Sequence, residues 1–185
     1  MTLSVIVALA DGFEEIEAVT PIDVLRRASL NLTTIALSGR TVTGSHGIVL
    51  TADRTWEDVA AVTPDVLVLP GGMPGSPNLG EHQGLRQMAR HVAAANGWLT
   101  ALCAAPAFTL AAWGLLAGRR ATCFPGCETK FPADVRYEKE SVVVDGRIVT
   151  ASGPGAAHDF AFTLVELLVS GDAANRLRLK MQYGT

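Results

Sequence analysis

The feature that most constrains this chain is a set of short apolar runs that do not alternate. They are "LSVIVALA" (3–10), "NLTTIAL" (31–37), "PDVLVLP" (64–70) and "WLTAL" (98–102). A strand with one wet face alternates apolar and polar residues, whereas a continuous run marks a strand covered on both faces. Segments of helical periodicity lie between the runs. In "EEIEAVTPIDVLRRAS" (14–29), Ile16, Val19, Val24 and Leu25 recur at roughly helical spacing, with carboxylates in the first turns and Arg26-Arg27 in the last, as the helix dipole prefers. Pro21 inside that segment predicts a kink. A second helix is expected from about Gln83 to Ala95, a third after Cys103, and closing helices in "PGAAHDFAFTLVELLVS" (154–170) and "GDAANRLRLKMQ" (171–182). "TVTGSHGIVLTAD" (41–53) reads as short strands or a hairpin around Gly44 and Gly47. "SVVVDGRIVTAS" (141–152) reads as a hairpin with Asp145-Gly146 as its turn, and "GGMPGSPNLG" (71–80) as a loop. Strands alternating with helices define an α/β sandwich with a mostly parallel sheet.

A length of 185 residues, 49% of them apolar and 18% charged, fits one globular domain over 1–185. The net charge of -3, with no cluster of Lys and Arg beside aromatic residues, argues against a nucleic-acid partner. The apolar stretch Leu99 to Gly118 is interrupted by Pro106 and Gly114 and reads as a buried strand and helix, so no membrane association is expected. The first residues lack the basic start of a secretory signal, and the three cysteines are an odd number. Reduced thiols in the cytoplasm are therefore expected.

Ligands of open α/β sheets collect at the carboxyl ends of strands. Three such ends carry chemistry here: Asp11 to Glu17, Pro70 to Gly75, and Cys103. Cys103 follows "WLTAL" and precedes Ala104 and Ala105, residues small enough for a tight strand-to-helix elbow. It is either a small buried hydrophobe or a nucleophile whose thiolate the following helix N-terminus favours. The "PGG" at 70–72 offers backbone N–H groups with no side chain in the way, suited to an oxyanion. Glu17 is either a solvated helix carboxylate, like Glu14 and Glu15, or an inward, desolvated carboxyl able to pass a proton. Cys123 and Cys127 stand in a C-x3-C spacing without two further zinc ligands, so no metal site is expected. The His158-Asp159 pair begins a helix and reads as a surface or capping feature.

The landmarks "DGFEEIEAVTPIDVLRRA", "DVLVLPGG", "ALCAAPAFTLA" and "GPGAAHDFA" occur in order over nearly the whole chain. Together they resemble the ThiJ/PfpI superfamily, in the branch of the Parkinson-associated protein deglycase and bacterial YajL. The resemblance implies a flavodoxin-like three-layer sandwich of the class I glutamine amidotransferase-like kind, and a homodimer. It implies Cys103 as reactive thiolate, Glu17 as its protonated partner, and Gly72 with Ala104 as N–H donors. Two positions depart from the family. "ATCFPG" places Phe124 where human-type members carry a histidine, and "SHGIVL" places His46 where an arginine is common. In the family dimer that second position lies near the partner's site, so His46 is either a titratable group acting across the interface or an exposed loop histidine. Cys123, beside Phe124, is a candidate resolving thiol for Cys103.

The resemblance implies a cofactor-free glyoxalase III or protein deglycase acting on methylglyoxal, glyoxal and early glycation adducts, glycated proteins included. The alternative is an oxidative-stress redox sensor or chaperone that uses an oxidisable Cys103. A peptidase of this superfamily places a histidine directly after the nucleophile, where this chain has Ala104.

Overall fold

The computed structural model describes residues 3–184, so Met1, Thr2 and Thr185 of the expected 1–185 domain lie outside it. In chain order the elements are β1 (Ser4–Leu9), α1 (Glu15–Arg27), β2 (Asn31–Ala36), β3 (Thr41–Thr43), β4 (Val49–Thr51), β5 (Arg54–Thr55) and β6 (Val66–Leu69). Then come α2 (Gly75–Glu81), α3 (Gln83–Ala94), β7 (Trp98–Leu102), β8 (Arg120–Ala121), β9 (Arg136–Tyr137), β10 (Val142–Asp145), β11 (Ile148–Ala151), α4 (Ala157–Leu168) and α5 (Gly171–Lys180).

Seven strands form the central sheet in the order β10-β11-β7-β6-β1-β2-β5. Every pairing within it is parallel except β10 with β11. The non-alternating runs find their explanation in the two faces. Val5, Val7 and Leu9 of β1 join Val66 and Val68 of β6 in a core covered by α1, α4 and α5. Ile6, Ala8 and Ala10 join Leu67 and Leu69 in a second core that holds Leu85, Met88, Ala89 and Val92 of α3. Those four α3 residues recur at i, i+3, i+4 and i+7, the single apolar stripe a covering helix needs. The result is the expected three-layer α/β sandwich.

Several local expectations change. The segment read as the loop "GGMPGSPNLG" contains α2, whose Gly and Pro residues mask its helical character. The hairpin pairs Asp145 with Ile148, so its two turn residues are Gly146 and Arg147, one position later than expected. Gly146 supplies the positive φ of 61° that this tight turn demands. The segment after Cys103 winds as a π-helical turn, Pro106–Ala111, rather than a regular α-helix. The first helix runs from Glu15 to Arg27 as one element through Pro21. Its buried face is Glu17, Ala18, Pro21, Val24 and Leu25, while Ile16 and Val19 are 51% and 43% exposed. Among the described residues no helix is long and apolar enough to cross a membrane.

Because β7, β6 and β1 are parallel neighbours in the middle of the sheet, the segments leaving their carboxyl ends converge at one end of it. Those segments hold Cys103, Pro70 to Gly72, and Asp11 to Glu14.

Candidate active site

Cys103 is the first residue past β7 and takes φ 60°. A non-glycine residue there costs about 1–2 kcal/mol, so the turn must be held by its surroundings. It is held on both sides: the Cys103 N–H donates to Ala151 O at 2.8 Å, and the Phe124 N–H donates to Cys103 O at 2.8 Å. Ala104 continues the turn, its carbonyl accepting the Phe108 N–H at 2.9 Å. The sharp elbow expected from the sequence is present.

Glu17 reaches the same point from α1. Its side chain is fully buried, and Oε2 accepts the Gly71 N–H at 2.8 Å. Oε1 is buried with no hydrogen-bond partner among the described residues, and the Cys103 thiol lies close enough for the two groups to influence each other's titration. Gly71 sits between the two groups: a Cβ there would lie 2.5 Å from both Cys103 Cβ and Glu17 Oε2. Glycine is therefore the residue that lets carboxyl and thiol meet. The backbone N–H groups of Gly72 and Ala104 lie near enough to the sulfur to favour its ionised form. Gly72 takes φ 97°, and a Cβ on it would strike the backbone of Gly12, Phe13 and Glu14. The sequence reading gave Gly72 a role and passed over Gly71, although the "PGG" signal contains both.

Burial raises the Glu17 carboxyl from 4.5 to about 7; the thiol and the Gly71 N–H work against that rise, and the negative Glu14 adds to it. At neutral pH the carboxyl is therefore divided between its two forms. The expectation of a thiolate favoured outright by a helix end needs correction. Burial first, then an ionised Glu17, push the Cys103 thiol up, while the Gly72 and Ala104 N–H groups pull it down. A charge on either group opposes a charge on the other. A thiolate forms here when Glu17 holds the proton, since that removes the like charge and turns the carboxyl into a donor.

The neighbouring carboxylates are buried too, which the sequence did not suggest. Glu14 caps α1, accepting the Glu17 N–H at 2.8 Å on Oε2. Glu15 accepts the His46 N–H at 2.7 Å and pairs with His46 Nδ1 at 2.8 Å. Burial opposes ionisation of Glu15, but these bonds hold it at about 2. The same pairing raises the His46 pKa, although its side chain is 70% exposed. Glu14, Glu15 and His46 could each offer one atom to a metal, all within 4.8 Å. The hydrogen bonds just described already occupy oxygens of both carboxylates and Nδ1 of the imidazole. Glu15's partners lie in the 44–48 turn, some thirty residues away in sequence, so no local signal could reveal that pairing.

Cys123 is buried. Its thiol is pushed up to about 12 by burial, then by Cys127 and Glu128, and no interaction among the described residues joins it to Cys103. Phe124, the residue of this chain at the position where human-type members carry a histidine, lies beside Gly153, and its N–H donates to Cys103 O. The His158-Asp159 pair serves the C-terminal segment: His158 stacks on Tyr183 at 5.1 Å, and Asp159 accepts the Tyr183 hydroxyl at 3.0 Å.

The chain is similar to known proteins over most of its length. The sequence profile of the DJ-1/PfpI family matches residues 3–167. Protein DJ-1 homolog B of Arabidopsis thaliana is 37% identical over 94% of this chain, which spans only 40% of that longer protein. The glutathione-independent glyoxalase DJR-1.2 of Caenorhabditis elegans is 32% identical over 89% of this chain and 87% of its own length. The oxidized DJ-1 of Toxoplasma gondii superposes over the whole of both chains with a TM-score of 0.95 and 34% identity. The chain belongs to the DJ-1/PfpI family, in its DJ-1 branch.

Proposed function

We propose that this protein is a cysteine-dependent, cofactor-free glyoxalase that converts small dicarbonyls to hydroxy acids and extends the same chemistry to early glycation adducts. The observation that carries the reading is a buried carboxyl, raised by burial to about 7, brought up against a thiol on a turn of positive φ with only a glycine between them. With methylglyoxal, the Cys103 sulfur adds to the aldehyde carbon while the thiol proton passes through Glu17 to the carbonyl oxygen, giving a hemithioacetal. The Gly72 and Ala104 N–H groups stabilise negative charge as it develops beside the sulfur. Glu17, now ionised, takes the C–H proton from the former aldehyde carbon and returns it to the neighbouring carbon, while the hydroxyl proton of the hemithioacetal passes to the former ketone oxygen, leaving a lactoyl thioester. Water cleaves that thioester, releasing lactate and the thiol. The sum is methylglyoxal plus water to lactate and a proton, with no oxidant or reductant. The name of the nematode relative, a glutathione-independent glyoxalase, supports this choice of reaction.

A panel of methylglyoxal, glyoxal and a glycated amine, run without glutathione on the wild type and Cys103→Ser, tests the reading. Wild-type turnover that Cys103→Ser abolishes supports it. A wild type with no turnover of any panel member overturns it and leaves the second reading, an oxidation sensor. That second reading draws on the same N–H pair and Glu17 proton, which could bind the oxygens of an oxidised sulfur, and on the oxidized form of the Toxoplasma relative.

The working unit under this proposal is a cytoplasmic homodimer. Exposed apolar residues on α1 (Ile16, Val19) and on the hairpin (Ile48, Val49) flank the Glu15–His46 pair, so one interface would bring His46 toward a neighbouring site. Sedimentation as a monomer at micromolar concentration would contradict it.

A further inference from the structure

The segment "ATCFPGCETK" (121–130) holds two of the three cysteines, and the chemistry proposed above uses neither. Between them the chain makes a type II turn. Pro125 fills its second position, Gly126 fills its third with φ 95° and ψ -23°, and the Cys127 N–H closes it on Phe124 O at 2.9 Å. Such a turn holds the Cα atoms of its end residues within about 7 Å, so Cys127 is folded back beside the residue that follows Cys123. Further bonds fix the turn in place. Glu128 Oε2 accepts the Gly126 N–H at 2.6 Å, and the Thr129 hydroxyl donates to Gly126 O at 2.9 Å.

The two thiols differ in access. Cys123 is fully buried, whereas Cys127 is half-buried. They also act on each other: a negative charge on Cys127 opposes ionisation of Cys123, and burial with the Glu128 carboxylate opposes ionisation of both. Pairs that are strong oxidants owe it to a stabilised thiolate in their reduced form, and these surroundings stabilise neither thiolate.

We propose that Cys123 and Cys127 form a redox dithiol, which closes to a disulfide by exchange with a small-molecule disulfide. The accessible Cys127 loses its proton and attacks one sulfur of the small disulfide. That S–S bond breaks, a first small thiol leaves with the proton, and a mixed disulfide remains on Cys127. Cys123 then attacks the Cys127 sulfur, and the second small thiol leaves with the Cys123 proton. The dithiol gives up two electrons and two hydrogens, and the small disulfide takes both. In a reducing compartment such a bond is transient and serves to sense the thiol pool. The proposal does not depend on the Cys103 chemistry.

The test equilibrates the folded full-length protein in glutathione buffers of rising oxidised-to-reduced ratio, quenches with acid and labels the remaining thiols with N-ethylmaleimide. Trypsin releases both cysteines in the single peptide Ala121–Lys130 and Cys103 in another, His91–Arg119. The 121–130 peptide should become unlabelled and two hydrogens lighter than its dithiol form, and should do so equally in Cys103→Ser. In urea, where the turn no longer holds the thiols together, the same conversion should need a ratio at least about tenfold more oxidising. Three results would overturn the proposal: a 121–130 peptide that stays labelled or carries glutathione at every ratio, a bond from it to the Cys103 peptide in place of the internal one, or the same midpoint in the folded protein and in urea.

Discussion

Replacing Glu17 by glutamine should make the protein more stable relative to wild type as pH rises. The amide keeps the size of the side chain, can accept the Gly71 N–H through its oxygen, and can donate to the Cys103 sulfur. It cannot ionise. The wild-type carboxyl titrates at about 7 in the folded protein against 4.5 when solvated, chiefly because it is buried. Between those values the unfolded chain has released a proton that the folded chain still holds, so folding stability falls as pH rises. The contribution is fully present below 4.5 and is lost as pH passes through about 7. At about 1.4 kcal/mol per pH unit, the loss is about 3 kcal/mol. Urea unfolding at intervals from pH 4 to pH 8 on both proteins measures it, since other titrating groups cancel in the difference. The stability of Glu17→Gln minus that of wild type should increase by about 3 kcal/mol across the range. Parallel curves would refute the claim that burial holds this carboxyl near neutrality.

Gly71→Ala should lose dicarbonyl turnover and about 1–3 kcal/mol of stability, because its Cβ would displace Cys103 and Glu17; Gly155→Ala, with nothing within 4 Å, is the control. Mild peroxide should convert Cys103 to sulfinate before it modifies Cys123 or Cys127, because the Gly72 and Ala104 N–H groups and the Glu17 proton can hold the oxygens of an oxidised sulfur; peptide mass spectrometry reports the order, and earlier modification of Cys127 would contradict it. His46→Ala should lower stability most between pH 5 and 6, where Glu15 is ionised and His46 protonated. The wild-type advantage should fade as pH rises through the raised His46 pKa and again as pH falls through 4.5 toward 2; a pH-independent difference in urea unfolding would count against the pair.

What the sequence displayed, and what it hid, follows from the range of the interactions concerned. The sheet was legible because burial on both faces leaves continuous apolar runs, as in β1 and β6. The elbow at Cys103 was legible because a strand, a cysteine and two alanines are contiguous. α2 was hidden by its glycines and proline, and the hairpin turn was misplaced by one residue because Asp145-Gly146 mimics a common turn pair. The rotation of α1 was misjudged: apolar Ile16 and Val19 suggested an inward face, yet Glu17 and Ala18 occupy it. Glu14 and Glu15 looked solvated because the groups that satisfy them are Glu17's own N–H and a distant turn. The thiol's protonation was misread for a similar reason. It depends on the Glu17 charge brought across by the fold, not on the helix end that adjoins it in sequence.

The measurement that tests the proposed chemistry most directly is methylglyoxal turnover by Glu17→Gln, run beside iodoacetamide alkylation of Cys103 in the same preparation. The amide can still hydrogen-bond the sulfur but cannot carry a proton between the two carbons of the substrate. Alkylation should therefore persist while turnover falls by about 10²-fold or more. Retained turnover together with retained alkylation would contradict Glu17 as the proton carrier.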